Sequence, residues 1–315
     1  VTAAHRTRRA IGATVSVNTT VGAPGPTAVF TVPDLPAAAD CELLLRRWYP
    51  SLRQQIPFSK ALVVAPTGAD RFICRFLQII GPAESMFGAA RTGRDCVNSM
   101  ISAYPAVARP GTTMTLENVD TGLTLAATPA DERTVDVAVQ PARPVQPAAV
   151  QLPTPGSRGI LALHVNNPYV LLDAGEAGLT AGELLRLDGP ADPGLLRPFA
   201  AAIAQVQQHL GLPVAGDLPK LAVVAADGPD VLAARTVYLG RWHPGLPLTA
   251  ATTFLTATQI PQSPWPGPAV PQHGLRLRSP AADIRVTTRV NDDGALVSFG
   301  IPAREVTRDI PARSI

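Results

Sequence analysis

Residues 92–100 read "TGRDCVNSM" and residues 245–252 read "GLPLTAAT". Each is a short turn of polar and small residues that feeds a helix-forming segment. The first leads into residues 96–103; the second leads into "TAATTFLTATQI" (249–260), which reads as a helix despite its threonines. Well ahead of each lies an apolar run of strand character, "KALVVA" (60–65) and "PKLAVVAA" (219–226). The order of strand, loop, turn and helix therefore occurs twice. Between the two copies, residues 129–159 are rich in proline and read as one short strand followed by an extended connector. The repetition points to an α+β protein of two pseudo-duplicated halves, residues 1–150 and 151–315, with a cleft between them.

The remaining elements fit that frame. "TAVFTV" (27–32), "RFICRFLQII" (71–80), "TMTLENV" (113–119) and "LTLAAT" (123–128) read as strands. The last two are joined by "DTG" (120–122), a hairpin turn. "AAADCELLLRRW" (37–48) has its apolar residues on one helical face, and "DLP" before it supplies a start signal. In the second half "ILALHVNNPYVLL" (160–172) is strand-like, with "NP" as a turn signal. "TAGELLRL" (180–187) and "PFAAAIAQVQQHLGL" (198–212) are helical, the latter capped at Gly211. "DIRVTTRV" (283–290) and "ALVSFGI" (295–301) close the chain as a hairpin around "NDDG".

Composition narrows the function classes. The chain has 315 residues, 46% hydrophobic and 16% charged, which suits a folded core rather than a disordered segment. A net charge of +3 comes from scattered basic residues, and aromatics are only 5%, so nucleic-acid binding is not expected. No window reaches the ~18 apolar residues of a membrane span, and no apolar stretch follows the arginines of "HRTRR" (5–9) to make a secretory signal. Three cysteines, Cys41, Cys74 and Cys96, do not form a disulfide framework, so a cytoplasmic location is expected. The five histidines are far apart, and no metal-ligand spacing, phosphate loop or dinucleotide fingerprint occurs. Neither a metal nor a cofactor is expected. The expected partner is a small-molecule substrate, and a homodimer is compatible with the composition.

Of the 27 basic residues only Lys60 and Lys220 are lysines. Lys60 follows Ser59 at the lip of an apolar run. It is either a strand-end lysine reaching water or a desolvated amine with a lowered pKa. Cys96 sits where a helix begins, next to Asn98 and Ser99. It is either a small packed residue with Asp95 as helix cap, or a thiol whose thiolate the helix start favours. His243, before a Pro-Gly turn, could contact an anionic substrate or cap a loop.

These segments together resemble the PrpF family, the 2-methylaconitate cis–trans isomerases. "FSKALVVAP" (58–66) is similar to that family's "TSKVAIV", and "DCVNSMISAYPAVA" (95–108) to its "NCGNM…VGPFAV". "LENVDTGLTLAAT" (116–128) resembles its "I-N-x-N-T-G" hairpin, and "VNNPYVLLDAGEAGLTAGEL" (165–184) its "V-A-N-P-x-V-F-V…LGLTGTEL". "PKLAVVAA" followed by "ARTVYLGRWHPGLPLTAA" (234–251) resembles "PK-V-A…AR-x-x-S-M-G-x-x-H-x-A…TGA". The series is collinear over nearly the whole chain. It implies the diaminopimelate-epimerase-like fold, in which each half wraps a curved sheet around a central helix. It also places Lys60 on the family's proposed catalytic lysine and Cys96 on the cysteine of its "CGN" motif. Asn98 matches the asparagine of that motif, and His243 and Thr249 match residues flanking the second central helix. Ser59 and Ser99, beside Lys60 and Asn98, complete the expected substrate-binding set.

Departures accompany the matches. "CGN" is here "CVN", and the family's "GGTSKG" loop aligns with "VGAPGPTA" (21–28), which lacks the serine and lysine. No cysteine occurs in the second half, which excludes a two-thiol racemase. A less charged, bulkier substrate than a tricarboxylate is therefore expected. The leading functional expectation is a cofactor-independent isomerase of bacterial secondary metabolism. Lys60 would remove a proton from a carbon next to a carbonyl or carboxylate, and Cys96 or water would return one elsewhere. The rival is the same scaffold used as a cyclase of a natural-product intermediate; a binding protein without catalysis is a third class. Arg94, Arg109 and Arg241 are the candidate arginines for a carboxylate-binding cleft.

Overall fold

The computed structural model describes residues 12–80, 89–145, 160–162, 168–194, 200, 203–204, 206–208, 211, 219–238, 240–258, 263–265, 274–293 and 295–314. The architecture is mixed α+β, dominated by sheet. In chain order the first elements are β1 (Thr14–Thr20), β2 (Thr27–Thr31), α1 (Ala38–Arg53), β3 (Lys60–Pro66), β4 (Arg71–Ile80) and β5 (Ala89–Arg91). Then come α2 (Val97–Ile101), α3 (Tyr104–Val107), β6 (Met114–Asn118), β7 (Thr124–Pro129) and β8 (Thr134–Gln140). The later elements are β9 (Ile160–Ala162), β10 (Tyr169–Asp173), α4 (Ala181–Arg186), β11 (Lys220–Ala226), β12 (Val231–Tyr238) and β13 (Arg241–Trp242). The last are α5 (Leu248–Thr258), β14 (Leu275–Ser279), β15 (Ala282–Val290) and β16 (Leu296–Ser314).

The strands pair in the order β1-β2-β3-β4-β6-β7-β8-β16, and β16 returns to pair with β1, so this part of the sheet closes on itself. From β16 the ladder runs on through β15-β14-β12-β11-β10-β9. β16 is thus common to both runs of strands. Its N-terminal end pairs with β15 and its remainder with β8 and β1.

Residues of α2 and α5 share one core cluster with the strands. β3 is buried on both faces, which explains its unbroken apolar reading. Leu62 and Val64 join the core around α2, while Ala61, Val63 and Ala65 pack under α1. The core around α2, with Met100 and Ile101, is continuous with that around α5, with Phe254 and Leu255. Every residue of α5 is buried. Three of its threonines bond back to the helix itself: Thr253 to the Thr249 carbonyl at 3.3 Å, Thr256 to that of Thr252 at 2.7 Å and Thr258 to that of Leu255 at 2.8 Å, whereas the Thr252 hydroxyl has no hydrogen-bond partner among the described residues. α4 opens on a reciprocal cap between Thr180 and Glu183 and lays Leu184 against Leu172 and Val223.

Several sequence expectations need correction. α1 continues past residue 48 to Arg53 and passes through Pro50, because Tyr49 and Leu52 extend the buried stripe. β1 had no counterpart in the sequence reading. Residues 160–172 form two strands, β9 and β10, paired antiparallel, with residues 163–167 outside the described set. Asn166 and Asn167 fall there. The helix expected over 198–212 lies largely outside the described residues, though 203–204 and 206–208 are helical and Gly211 has φ +61°. No helix among the described residues is long and apolar enough to cross a membrane.

Candidate active site

Lys60 is the first residue of β3. It stands opposite Thr27 of β2 and Gln78 of β4, on the face that Leu62 and Val64 turn toward α2. The position is 7% exposed, so the ammonium is held almost without water. Its Nζ donates to the Pro24 carbonyl at 3.4 Å. Burial pulls the Lys60 pKa below its ordinary value, and the negative charge that Cys96 can carry opposes part of that shift.

Cys96 is the N-cap residue of α2, in extended conformation, and its side chain makes no capping bond. Its carbonyl accepts from the Met100 amide at 3.0 Å, so the helix holds the backbone while the thiol stays available. The N-cap position belongs to Cys96 rather than to Asp95. Asp95 accepts from Asn118 Nδ2 at 2.9 Å and from the Thr121 hydroxyl, tying the turn to the β6–β7 hairpin. Asn98 is buried; its Nδ2 donates to the Leu246 carbonyl at 3.4 Å, which links α2 to the segment entering α5. Its Oδ1 has no hydrogen-bond partner among the described residues.

From the other side comes the loop before α5. His243 Nδ1 lies 2.9 Å from the Gly245 carbonyl. A carbonyl only accepts, so Nδ1 carries the proton and Nε2 is left as an acceptor. Burial pushes the His243 pKa down to about 3, assisted by the positive charges of Lys60, Lys220 and Arg235. The imidazole is therefore neutral at neutral pH. Gly245 must be glycine: a Cβ there would stand 2.6 Å from the Gly22 carbonyl, where this loop meets the one before β2. Thr249, on the first turn of α5, pairs its hydroxyl with that of Tyr169 at 3.2 Å.

These groups surround one cavity of ≈ 110 Å³. Its walls include Ser59, Lys60, Cys96, Asn98, His243 and Thr249. Ser59 is exposed, at the rim. Ser99 is the one expected residue that does not line the cavity. It is fully buried and accepts from Thr27 Oγ1 at 3.0 Å, fastening α2 to β2. Of the three candidate arginines only Arg94 lines this cavity; Arg109 lies in a separate groove with Arg133 and Arg308. The polar lining residues that were not anticipated include Lys220, Thr236 and Gln78. Scarcity was a usable signal for the first, since both lysines of the chain reach the same cavity. Among the described residues no cluster of three or more His, Cys, Asp or Glu could hold a metal ion.

No protein-family model matches the chain, and neither does any curated protein sequence. Solved structures do match. The methylitaconate-delta-isomerase structure superposes with a TM-score of 0.66 at 16% identity, covering 97% of this chain and 95% of that one. A probable proline racemase from Agrobacterium radiobacter K84, solved with bound carbonate, gives 0.60 at 16% identity, covering 96% and 92%. A putative phenazine biosynthesis PhzC/PhzF protein from Clostridium difficile strain 630 gives 0.53 at 10% identity, covering 96% and 99%. The chain therefore has the diaminopimelate-epimerase-like fold shared by these proteins.

Proposed function

We propose that the protein is a cofactor-independent isomerase that moves a proton, and with it a double bond, on a compact unsaturated carbonyl or carboxylate compound. The observation that carries this reading is the meeting of a buried, pKa-lowered Lys60 and the cap residue Cys96 at one small cavity. In this reading the cavity is the cleft between two pseudo-duplicated halves, residues 1–150 and 151–315, the second lending β16 to the first.

The deprotonated fraction of Lys60, enlarged by its burial, takes a proton from a carbon next to the carbonyl or carboxylate. The electron pair delocalises onto the substrate oxygen and then to the far carbon of the allylic system. That carbon takes the proton of the Cys96 thiol. The resulting thiolate is re-protonated by the Lys60 ammonium through solvent, which restores both groups. Base catalysis of this kind contributes typically ~10²–10⁴-fold and requires the lysine within about 3 Å of the proton it removes. Desolvation does the tuning, since a fully hydrated lysine is almost wholly protonated at neutral pH.

The charged part of the lining supports this reading over a cyclase, although Phe76, Val97, Val237 and Leu248 add apolar walls that would also serve the latter. Lys60, Lys220 and Arg94 face a single carboxylate, Asp95, already engaged by Asn118 and Thr121. The volume argues for a small molecule rather than the bulky one expected from the sequence, being below the ~300–1,000 Å³ of common ligand pockets.

The test is a screen of small unsaturated and α-acidic carboxylates with the protein in D₂O, followed by proton NMR. Time-dependent loss of an α or allylic proton signal is the expected result. Conversion of a substrate with no deuterium entering substrate or product would reject proton transfer through solvent-exchanging groups and favour the cyclase.

A further inference from the structure

The two lysines hold corresponding stations. Lys60 opens β3, which pairs parallel with β2 and antiparallel with β4; Lys220 opens β11, which pairs parallel with β10 and antiparallel with β12. The residue beside Lys60 on the parallel strand, Thr27, bonds to Ser99 of α2 at 3.0 Å. The residue beside Lys220, Tyr169, bonds to Thr249 of α5 at 3.2 Å. The environments then diverge. Lys60 is buried, whereas Lys220 is half-buried, with its Nζ 5.9 Å from the centroid of the Tyr169 ring. A hydrated ammonium over an aromatic face keeps its charge and makes a poor base. That charge reaches the cavity, because it helps hold His243 neutral.

Thr236 stands on the same face, two positions along the neighbouring strand. It is opposite Ala222, so it is the diagonal neighbour of Lys220. The residue is 2% exposed, lines the cavity, and its hydroxyl has no hydrogen-bond partner among the described residues. A buried hydroxyl left unbonded is costly, and a ligand oxygen would satisfy it.

We propose that Lys220 and Thr236 form a subsite that holds a carboxylate of the substrate, leaving the reacting carbon to Lys60. One ammonium and one hydroxyl supply donors for the two oxygens of a carboxylate, in a cavity that Lys60 and Arg94 also line and where Asp95 is the one carboxylate of the lining. The inference deepens the function proposed above and uses the same cavity, but its test needs no turnover.

The experiment exploits the fact that the chain has only two lysines. Protein labelled with [ε-¹³C]lysine gives two side-chain signals, assigned with Lys220→Gln or, if that variant does not fold, with Lys60→Gln. Acetate, its neutral isostere acetamide, and inorganic phosphate are titrated in turn. The expected result is a saturable shift of the Lys220 signal with acetate and none with acetamide. Thr236→Val, which keeps the shape and removes the hydroxyl, should weaken acetate binding about tenfold or more, the usual loss for a hydrogen bond to a charged group. Unsaturable shifts, saturation with phosphate but not acetate, saturation at Lys60 alone, or acetate affinity unchanged in Thr236→Val would each overturn the subsite. Acetate binding without deuterium exchange on any substrate would keep the subsite and remove the proposed reaction; exchange without acetate binding would do the reverse.

Discussion

Replacing His243 by asparagine should flatten one part of the stability profile. The ring is uncharged in the folded protein because burial and three nearby cations push its pKa from 6.5 to about 3. An unfolded chain would bind the proton near pH 6.5. The folded pKa lies below the unfolded one, so the stabilisation is complete above about pH 6.5 and is lost as pH falls toward about 3. Each unit of separation is worth about 1.4 kcal/mol, which bounds the effect at roughly 5 kcal/mol. The ring is half-buried, so solvent screens part of this, and about 2–3 kcal/mol is the expected size. Asparagine can still donate toward the Gly245 carbonyl but does not titrate. Urea unfolding of wild type and His243→Asn at half-unit steps from pH 7.5 to 4 reads the difference, in which the acidic groups common to both proteins cancel. Wild type should lose more stability than the variant, with the gap opening below pH 6.5. Parallel profiles would refute a buried neutral imidazole beside Lys60 and Lys220.

Two further predictions concern the cavity before any substrate is known. In a [ε-¹³C]lysine titration, Lys60 should lose its proton below the ordinary lysine pKa of 10.5, because burial disfavours its charge; an unshifted midpoint would count against its role as base. A thiol reagent applied to the native protein should modify Cys96 rapidly and Cys41 and Cys74 slowly, since the latter two are buried with raised pKa values. Cys96→Ser should abolish the fast phase; three equally reactive thiols would contradict the burial of Cys41 in α1 and Cys74 in β4.

Much of this arrangement was legible where local signals and burial agreed. β3 reads as a strand because it is apolar on both faces, and the hairpin between β6 and β7 is written in its turn residues. α5 was legible too, although nothing local shows how its threonines are satisfied inside the core. β1 was not legible. Its buried positions include Ser16, Asn18 and Thr20, which look like loop residues until Asn18 reaches the carbonyl of Ser102 at the end of α2 and Thr20 that of Asn98 within it. The extent of β16 was hidden by Pro302 and Pro311 and by the register shift between Ile301 and Arg304, where Ala303 has φ +50°. Lys60, Cys96 and His243 were singled out by their local sequence and, with Asn98, matched to motif positions; all four line the cavity, whereas Ser99, taken up as a neighbouring polar residue, fastens α2. Thr236 carried no sequence signal, because its importance lies in a missing partner that only the packed strands reveal.

The central claim is that Lys60 removes the proton. Once the deuterium screen has found a turned-over compound, the direct measurement is deuterium uptake by wild type, Lys60→Met, Lys60→Arg and Cys96→Ser, with circular dichroism to confirm folding. The account predicts that both lysine variants lose exchange by at least ~10²-fold, since methionine has no base and arginine stays protonated. Cys96→Ser should retain more exchange than either, because the first proton is still removed. Folded Lys60→Met that exchanges at the wild-type rate would contradict it.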